Sequence, residues 1–401
     1  MSSQVPLKDL CSTITETRSP AALLEGSVWY FSIPAFDGGG RPALEQPKNI
    51  ASSKLLLNRP CLLFSRLNPR IPRVWDLTSL PLDYPCLAST EFVPFVIEDE
   101  CRLHPRYLYW FLQSRAFVAR ARAGVRAATK SRERVQKEAL FEIPVPLPPL
   151  AEQRRNVAML DKADGVRRKW REAIGLLDEL LRSAYVAMVG SQNEDYVNWP
   201  QCQVADLAEA GPQSMRTGPF GSALRHSEFV DAGVAVLGID NAVQNRFSWG
   251  ERRFITAEKY EKFRRYTVKP GDVIITIMGT TGRSAVIPED ISTSISTKHL
   301  AVVTVNREKV HPEFLSHAIH SDPALLSQIA AANRGAIMAG LNLGLIKRLR
   351  LRLPPLPIQC HFAALVVRVS QAEERFAHAC VEAEHLYRSL AQRAFATDAE
   401  Q

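Results

Sequence analysis

Seven cysteines are scattered through this chain, at positions 11, 61, 86, 101, 202, 360 and 380, and no two form a CxxC pair. An odd, dispersed set offers neither a disulfide framework nor a zinc cage. Long apolar runs are missing too, since none reaches the roughly 18 residues that span a bilayer. The start, MSSQVPLKDL, lacks the charged and apolar regions of a secretory signal. These absences point to a reducing cytoplasm and away from membranes. Catalytic signatures are equally scarce. There is no GxxxxGK(S/T) phosphate loop, no HExxH helix and no NPPY-like methyltransferase motif. No acid-x-lysine triplet occurs, so a PD…(D/E)xK nuclease centre cannot be written. The nine histidines show no metal-ligand spacing, and His317 and His320 read as members of an ordinary helix. No catalytic, cofactor-binding or metal-binding residue is assigned.

What is present begins with charge. Lys and Arg number 50 against 42 acids, for a net charge of +8, which favours a polyanionic partner. Residues 102–137 hold ten Lys and Arg against one acid, Glu133. A solvated helix face usually mixes signs, so this density favours a surface turned toward phosphates.

The chain also repeats itself. Pro148-Pro149-Leu150 matches Pro354-Pro355-Leu356, Gln153 matches Gln359, and Trp170 matches Phe376, all at an offset of 206. Upstream, ASTEFVPFV (88–96) pairs with ISTKHLAVV (295–303), and HPRYLYWFLQS (104–114) with HPEFLSHAIHS (311–321), at an offset of 207. Ordered matches at nearly one offset define two halves, each a globular domain followed by a long helix.

The two helices carry heptad-like apolar stripes. Leu365, Val369, Ala372, Phe376, Ala379, Ala383, Leu386 and Leu390 follow 4-3 spacing. Val166, Trp170, Ile174, Leu177, Leu181, Ala184 and Met188 follow it with one irregular step. Such a seam asks for a partner helix, and the two can pair with each other. The globular parts read as mixed α and β. RPCLLFSRL (59–67), KPGDVIITIMG (269–279) and STKHLAVVTVN (296–306) read as strands. PRYLYWFLQSRAFVARA (105–121) and HPEFLSHAIHSDPALLSQIA (311–330) each read as one helix. RRFITAEKYEKFRRY (252–266) reads as a helix with a solvated face.

Several phrases resemble one family. PLPPLAEQRRNVAMLDKADGVRRK, TGPFGSAL (217–224), KPGDVIITIMGTTGRSAVI (269–287) and LNLGLIKRLRLRLPPLPIQ (341–359) are similar to the specificity subunit of type I restriction–modification systems. Residues 32–75 resemble one class of target recognition domain from that family. The resemblance implies an α+β fold in which two α/β target recognition domains are separated by two long helices. Those helices pair as an antiparallel coiled coil, giving an internal pseudo-twofold repeat. The expected boundaries are 1–147 for the first domain, 148–192 for the central helix, 193–353 for the second domain, 354–396 for the C-terminal helix and 397–401 for a tail.

The resemblance also implies a non-catalytic subunit that reads a bipartite, asymmetric site in double-stranded DNA. It would dock two methyltransferase subunits, which bind S-adenosylmethionine, and motor–nuclease subunits, which need ATP and Mg. The family places docking on the repeated regions, which suggests Glu152, Gln153, Arg154 and Gln359. The second copy, PIQCHFAAL, lacks the acid and both arginines of AEQRRNVAML.

Candidate DNA contacts follow from side-chain chemistry, because arginine grips guanine and amides grip adenine. In the first domain they are Arg66, Asn68, Arg70, Arg73, Arg126, Thr129, Lys130 and Arg132. In the second they are Arg216, Ser222, Arg225, Thr280, Thr281, Arg283, Lys298, His299, Asn333 and Arg334. Two other readings stay open: an orphan bipartite DNA-binding regulator without methyltransferase partners, and a coiled-coil scaffold whose charge is incidental.

Overall fold

The computed structural model describes residues 3–20, 26–80, 83–123, 125–126, 133–219, 223–332 and 340–395. The chain divides into two units, one made of residues 1–171 and 378–401, the other of residues 172–377.

In unit one an antiparallel sheet runs in the order Cys11–Ser12, Phe92–Ile97, Cys61–Ser65, Val74–Leu77. CLLFS is buried along its whole length. A strand covered on both faces needs no polar alternation, which explains the unbroken apolar run. A five-stranded sheet holds one parallel pair, Val28–Phe31 beside Cys86–Ala88. Ser3–Pro6 pairs with Pro144–Leu147 and brings the two ends of the domain together.

Unit two repeats this plan. Its four-stranded sheet runs Met215–Thr217, Leu300–Val303, Val273–Thr276, Ser284–Val286. Val234–Leu237 and Ser294–Ser296 form its parallel pair. Gln201–Gln203 joins Arg350–Arg352 where the second long helix is about to start.

The longer helices that frame these sheets are α1 (Pro105–Gln113), α2 (Arg115–Ala123), α3 (Leu150–Met188), α4 (Pro312–Ser321), α5 (Pro323–Ala332) and α6 (Leu356–Phe395). Helices α1 and α4 start alike. Each has proline at its first position, where the missing N–H would be unpaired anyway. The preceding histidines, His104 and His311, cap with Nδ1, which accepts from Arg106 N and Glu313 N. Two segments expected as single helices are split. Pro323 cannot donate to a continuing helix, and Asp322 caps a new one by accepting from Ala324 N at 2.8 Å. Ser114 turns extended and caps α2 through Phe117 N. Residues 252–266 are not one helix either: Phe254–Ile255 is a strand, and the helix covers only Ala257–Phe263.

Each long helix contributes to both units. Within unit one, Arg167 of α3 bonds Glu384 of α6, while Leu160 and Ala163, earlier on α3, share a core with Leu390 and Phe395, later on α6. Within unit two, Asp178 of α3 and Glu373 of α6 line one cavity, while Tyr185, later on α3, meets Phe362, earlier on α6. The helices therefore run antiparallel. Val369 and Ala383 of the expected seam are buried. Trp170, Ile174, Leu177, Leu181, Ala184, Leu365, Ala372, Phe376, Ala379 and Leu390 are half-buried, as expected where only two helices meet. Two seam assignments are corrected. Val166 is 41% exposed and Leu386 55%. Tyr387, 9% exposed, takes the inward place beside Ala383 because the step from Ala383 is four residues, not three.

Candidate nucleic-acid interface

In unit one, two basic stretches distant in sequence are tied together. Asn68 N donates to Glu133 O at 2.8 Å, and Val135 N donates to Arg66 O at 3.1 Å. Asn68 adopts a left-handed φ of 52°, which asparagine tolerates better than most residues. The loop thus turns sharply and presents Arg70 to solvent, with Arg70 Nε donating to Asn68 Oδ1. Its other arginines are engaged. Arg73 makes a two-pronged pair with Asp37 at 2.6 and 3.0 Å, and Arg66 and Arg134 share Glu91. The Asp37 carboxyl is held below its ordinary range by Arg73. Arg126 pairs by backbone with Arg134, with its side chain outside the described residues. Thr129, Lys130 and Arg132 also lie outside them.

In unit two, Arg216 is corrected from reader to core residue. Only 8% exposed, it pairs with Asp272 at 2.7 Å and donates to Thr304 Oγ1, Thr267 O and Gln213 O. A buried guanidinium needs that full set of acceptors. The GTTGR turn does face outward. Gly279 and Gly282 take φ of 72° and 78°, and Thr276 Oγ1 accepts from Arg283 N at 3.0 Å. Thr280 and Arg283 are exposed and Thr281 is half-buried. Arg225 is exposed, its backbone N–H held by Glu228 at 2.7 Å. Lys298 and His299 line a separate cavity of about 670 Å³ with His226, Asp240 and Arg253. Burial, then Lys298 and Arg253, keep His299 below the usual imidazole range. Gly218 lies close by, where a Cβ would come within 2.2 Å of Ser296 O. Ser222, Asn333 and Arg334 fall outside the described residues.

Sequence reading missed Arg253 and Asp240, which form an ion pair at this cavity. Arg253 belongs to the charged stretch 252–266, which reads from the sequence as a solvated helix face, and Asp240 lies outside every motif the sequence offers.

The docking set divides. Glu152 and Arg154 are exposed, but Gln153 and Gln359 are fully buried, which corrects their placement on a docking surface. Gln153 Oε1 accepts from His104 N, and its Nε2 donates to Arg102 O and Pro148 O. Gln359 repeats this with His311 N, Lys309 O and Pro354 O. Each amide latches the start of a long helix to the start of α1 or α4 in its own unit. Burial also lowers the His104 and His311 pKa values, keeping their caps neutral and able to accept.

Among the described residues no group of His, Cys, Asp and Glu is arranged to hold a metal, and no helix is long and apolar enough to cross a membrane.

The class defined by this architecture is a mixed α+β protein of two sheet domains joined by paired long helices. No protein-family model matches the chain. A curated relative, the type I restriction enzyme MjaVIII specificity subunit of Methanocaldococcus jannaschii, is 20% identical over 196 residues, 47% of this chain and 46% of that protein. The match thus spans about half of the relative's length. Two solved structures match nearly end to end. The type I restriction–modification system S subunit from M. genitalium superposes with a TM-score of 0.58 at 13% identity, covering 99% of this chain and 96% of that one. A chain from the structural basis of complex assembly and conformational transition of the type I R-M system gives a TM-score of 0.60 at 17% identity, covering 99% and 98%. The fold is that of type I S subunits, and the resemblance read from the residues stands.

Proposed function

We propose that the chain is the DNA-reading specificity subunit of a type I restriction–modification assembly. The observation that carries this is the duplicated plan. Each half supplies its own sheets, its own histidine-capped helix and its own glutamine latch onto a long helix. The loops at the two candidate reading faces differ, so the two half-sites differ as well. Phosphate contacts from the basic loops supply affinity, and a few exposed side chains such as Arg70 and Arg283 reach base edges. The chain contributes recognition, while S-adenosylmethionine, ATP and Mg belong to methyltransferase and motor–nuclease partners.

The test is methylome sequencing of a host expressing this chain with its neighbouring methyltransferase, against the methyltransferase alone. The expected result is a new modified-adenine motif in two unequal parts with a fixed gap. A soluble complex that yields no new motif would overturn the proposal.

A further inference from the structure

The duplication lets one half serve as a template for the other. In unit one, the corner where α1 meets the long helices is filled by the chain's own cations and rings. Arg106 bonds Asp161 and Asp76, each at 2.9 Å, and its guanidinium lies 4.2 Å from the Tyr109 ring centre and 4.9 Å from that of Trp110. Trp110 Nε1 donates to Asp161 at 3.0 Å. Arg167 bonds Glu384 at 3.2 Å and lies 4.2 Å over the Tyr387 ring.

The repeat offsets carry these positions into unit two. Arg106 corresponds to Glu313 and Arg167 to Glu373. Trp110 corresponds to His317, Tyr387 to Leu181, and Asp161 to Val367. Both arginines are reversed in charge, and both large rings are replaced by smaller side chains. All five replacements line a cavity of about 1310 Å³ that belongs wholly to unit two. Small-molecule sites span about 300–1,000 Å³, so this volume suits a side chain on a polypeptide segment.

Two further observations point to a missing occupant. His317 is only 8% exposed, yet its Nε2 has no hydrogen-bond partner, whereas the equivalent Trp110 N–H finds Asp161. Glu313 forms no ion pair among the described residues, and burial lifts its carboxyl to about 7. Four arginines line the cavity: Arg246 is taken by Glu373 at 2.7 Å and Arg307 by Glu289 at 3.0 Å, and among the described residues neither Arg182 nor Arg283 forms an ion pair with Glu313. A planar guanidinium answers a carboxylate with two parallel N–H donors and stacks on an imidazole, which an ammonium does not match.

We infer that this corner of unit two receives an arginine side chain from a partner protein, held by Glu313 beside His317 where unit one seats its own Arg106. The inference rests on the reading of this chain as a subunit of a larger assembly, and its first test needs neither DNA nor another protein. The full chain, labelled with carbon-13 at histidine, is titrated with N-acetyl-arginine amide and, separately, with N-acetyl-lysine amide. The His317 resonance shifts saturably with the arginine probe and at least tenfold more weakly with the lysine probe. Glu313→Gln weakens the arginine response at least tenfold. The triple change Glu313→Arg, His317→Trp and Val367→Asp, which copies the filling of unit one, abolishes it; Glu313→Gln alone decides if the triple variant does not fold. Equal response to both probes, or an unchanged response in Glu313→Gln, overturns the inference.

In the assembled complex, a photo-crosslinker at Val367, 48% exposed, captures an arginine-bearing segment of the bound partner. Capture of DNA, or of nothing, from an intact complex overturns the inference. Failure of the complex to assemble counts against the proposed function instead.

Discussion

Arg216 and Arg70 carry the same charge into opposite surroundings. Arg216 is enclosed with Asp272, itself 1% exposed, and each neutralises the other. Removing the guanidinium leaves a buried carboxylate without its cation, a change that costs about 3–5 kcal/mol. Arg216→Met is therefore expected to lower unfolding free energy by that amount in urea titrations. Arg70 stands in solvent on a turn fixed by Asn68. Arg70→Ala is expected to leave stability within about 0.5 kcal/mol of the parent. It weakens DNA binding and reduces the salt dependence by about one unit of slope if the arginine neutralises one phosphate. A large stability loss in Arg70→Ala, with the salt slope unchanged, would place that residue in the scaffold.

At the scale of elements, neighbouring residues on α6 separate the helix face that holds the structure from the one that does not. Tyr387 is enclosed against Trp110 at 5.6 Å and under the Arg167 guanidinium, while Leu386 points out. Tyr387→Ala is expected to cost about 2–4 kcal/mol through the cavity it leaves. Leu386→Ala is expected to cost no more than about 0.5 kcal/mol. Thermal unfolding of the two variants decides the register of the seam, and the reverse order would restore the simple 4-3 assignment.

The sequence made the long helices legible because 4-3 spacing persists over many turns without a breaker. Their register was less legible, because aromatic Tyr387 competes with aliphatic Leu386 for one place and only packing decides. The strands Cys61–Ser65 and Val273–Thr276 were visible as short apolar runs. The breaks at Ser114 and Asp322 were overlooked although Pro323 signals one of them. The candidate site was the hardest part to read. Whether Arg73 or Arg216 is available depends on Asp37 or Asp272, 36 and 56 residues away, and no local pattern encodes that pairing.

For the whole molecule, the repeat gives meaning to the length of the helices. Each unit holds its own sheet domain and a segment of both long helices, and the boundaries fall at residues 171 and 377. Changing helix length at those boundaries leaves each glutamine latch and each loop intact. Seven residues preserve the apolar seam, because they are two turns of a heptad pattern. Inserted in both helices, they lengthen each by about 10 Å at about 1.5 Å per residue. On the proposed function, the unspecified gap in the methylated motif then grows by about three base pairs, at about 3.4 Å per pair. The half-site bases stay the same, since no reading loop has moved within its unit. Insertion in one helix alone breaks the antiparallel match and is expected to abolish modification. Methylome sequencing reads all three outcomes at once. Altered half-sites with an unchanged gap would mean that the helices do not set the spacing, and that recognition is distributed across the chain rather than divided between the two domains.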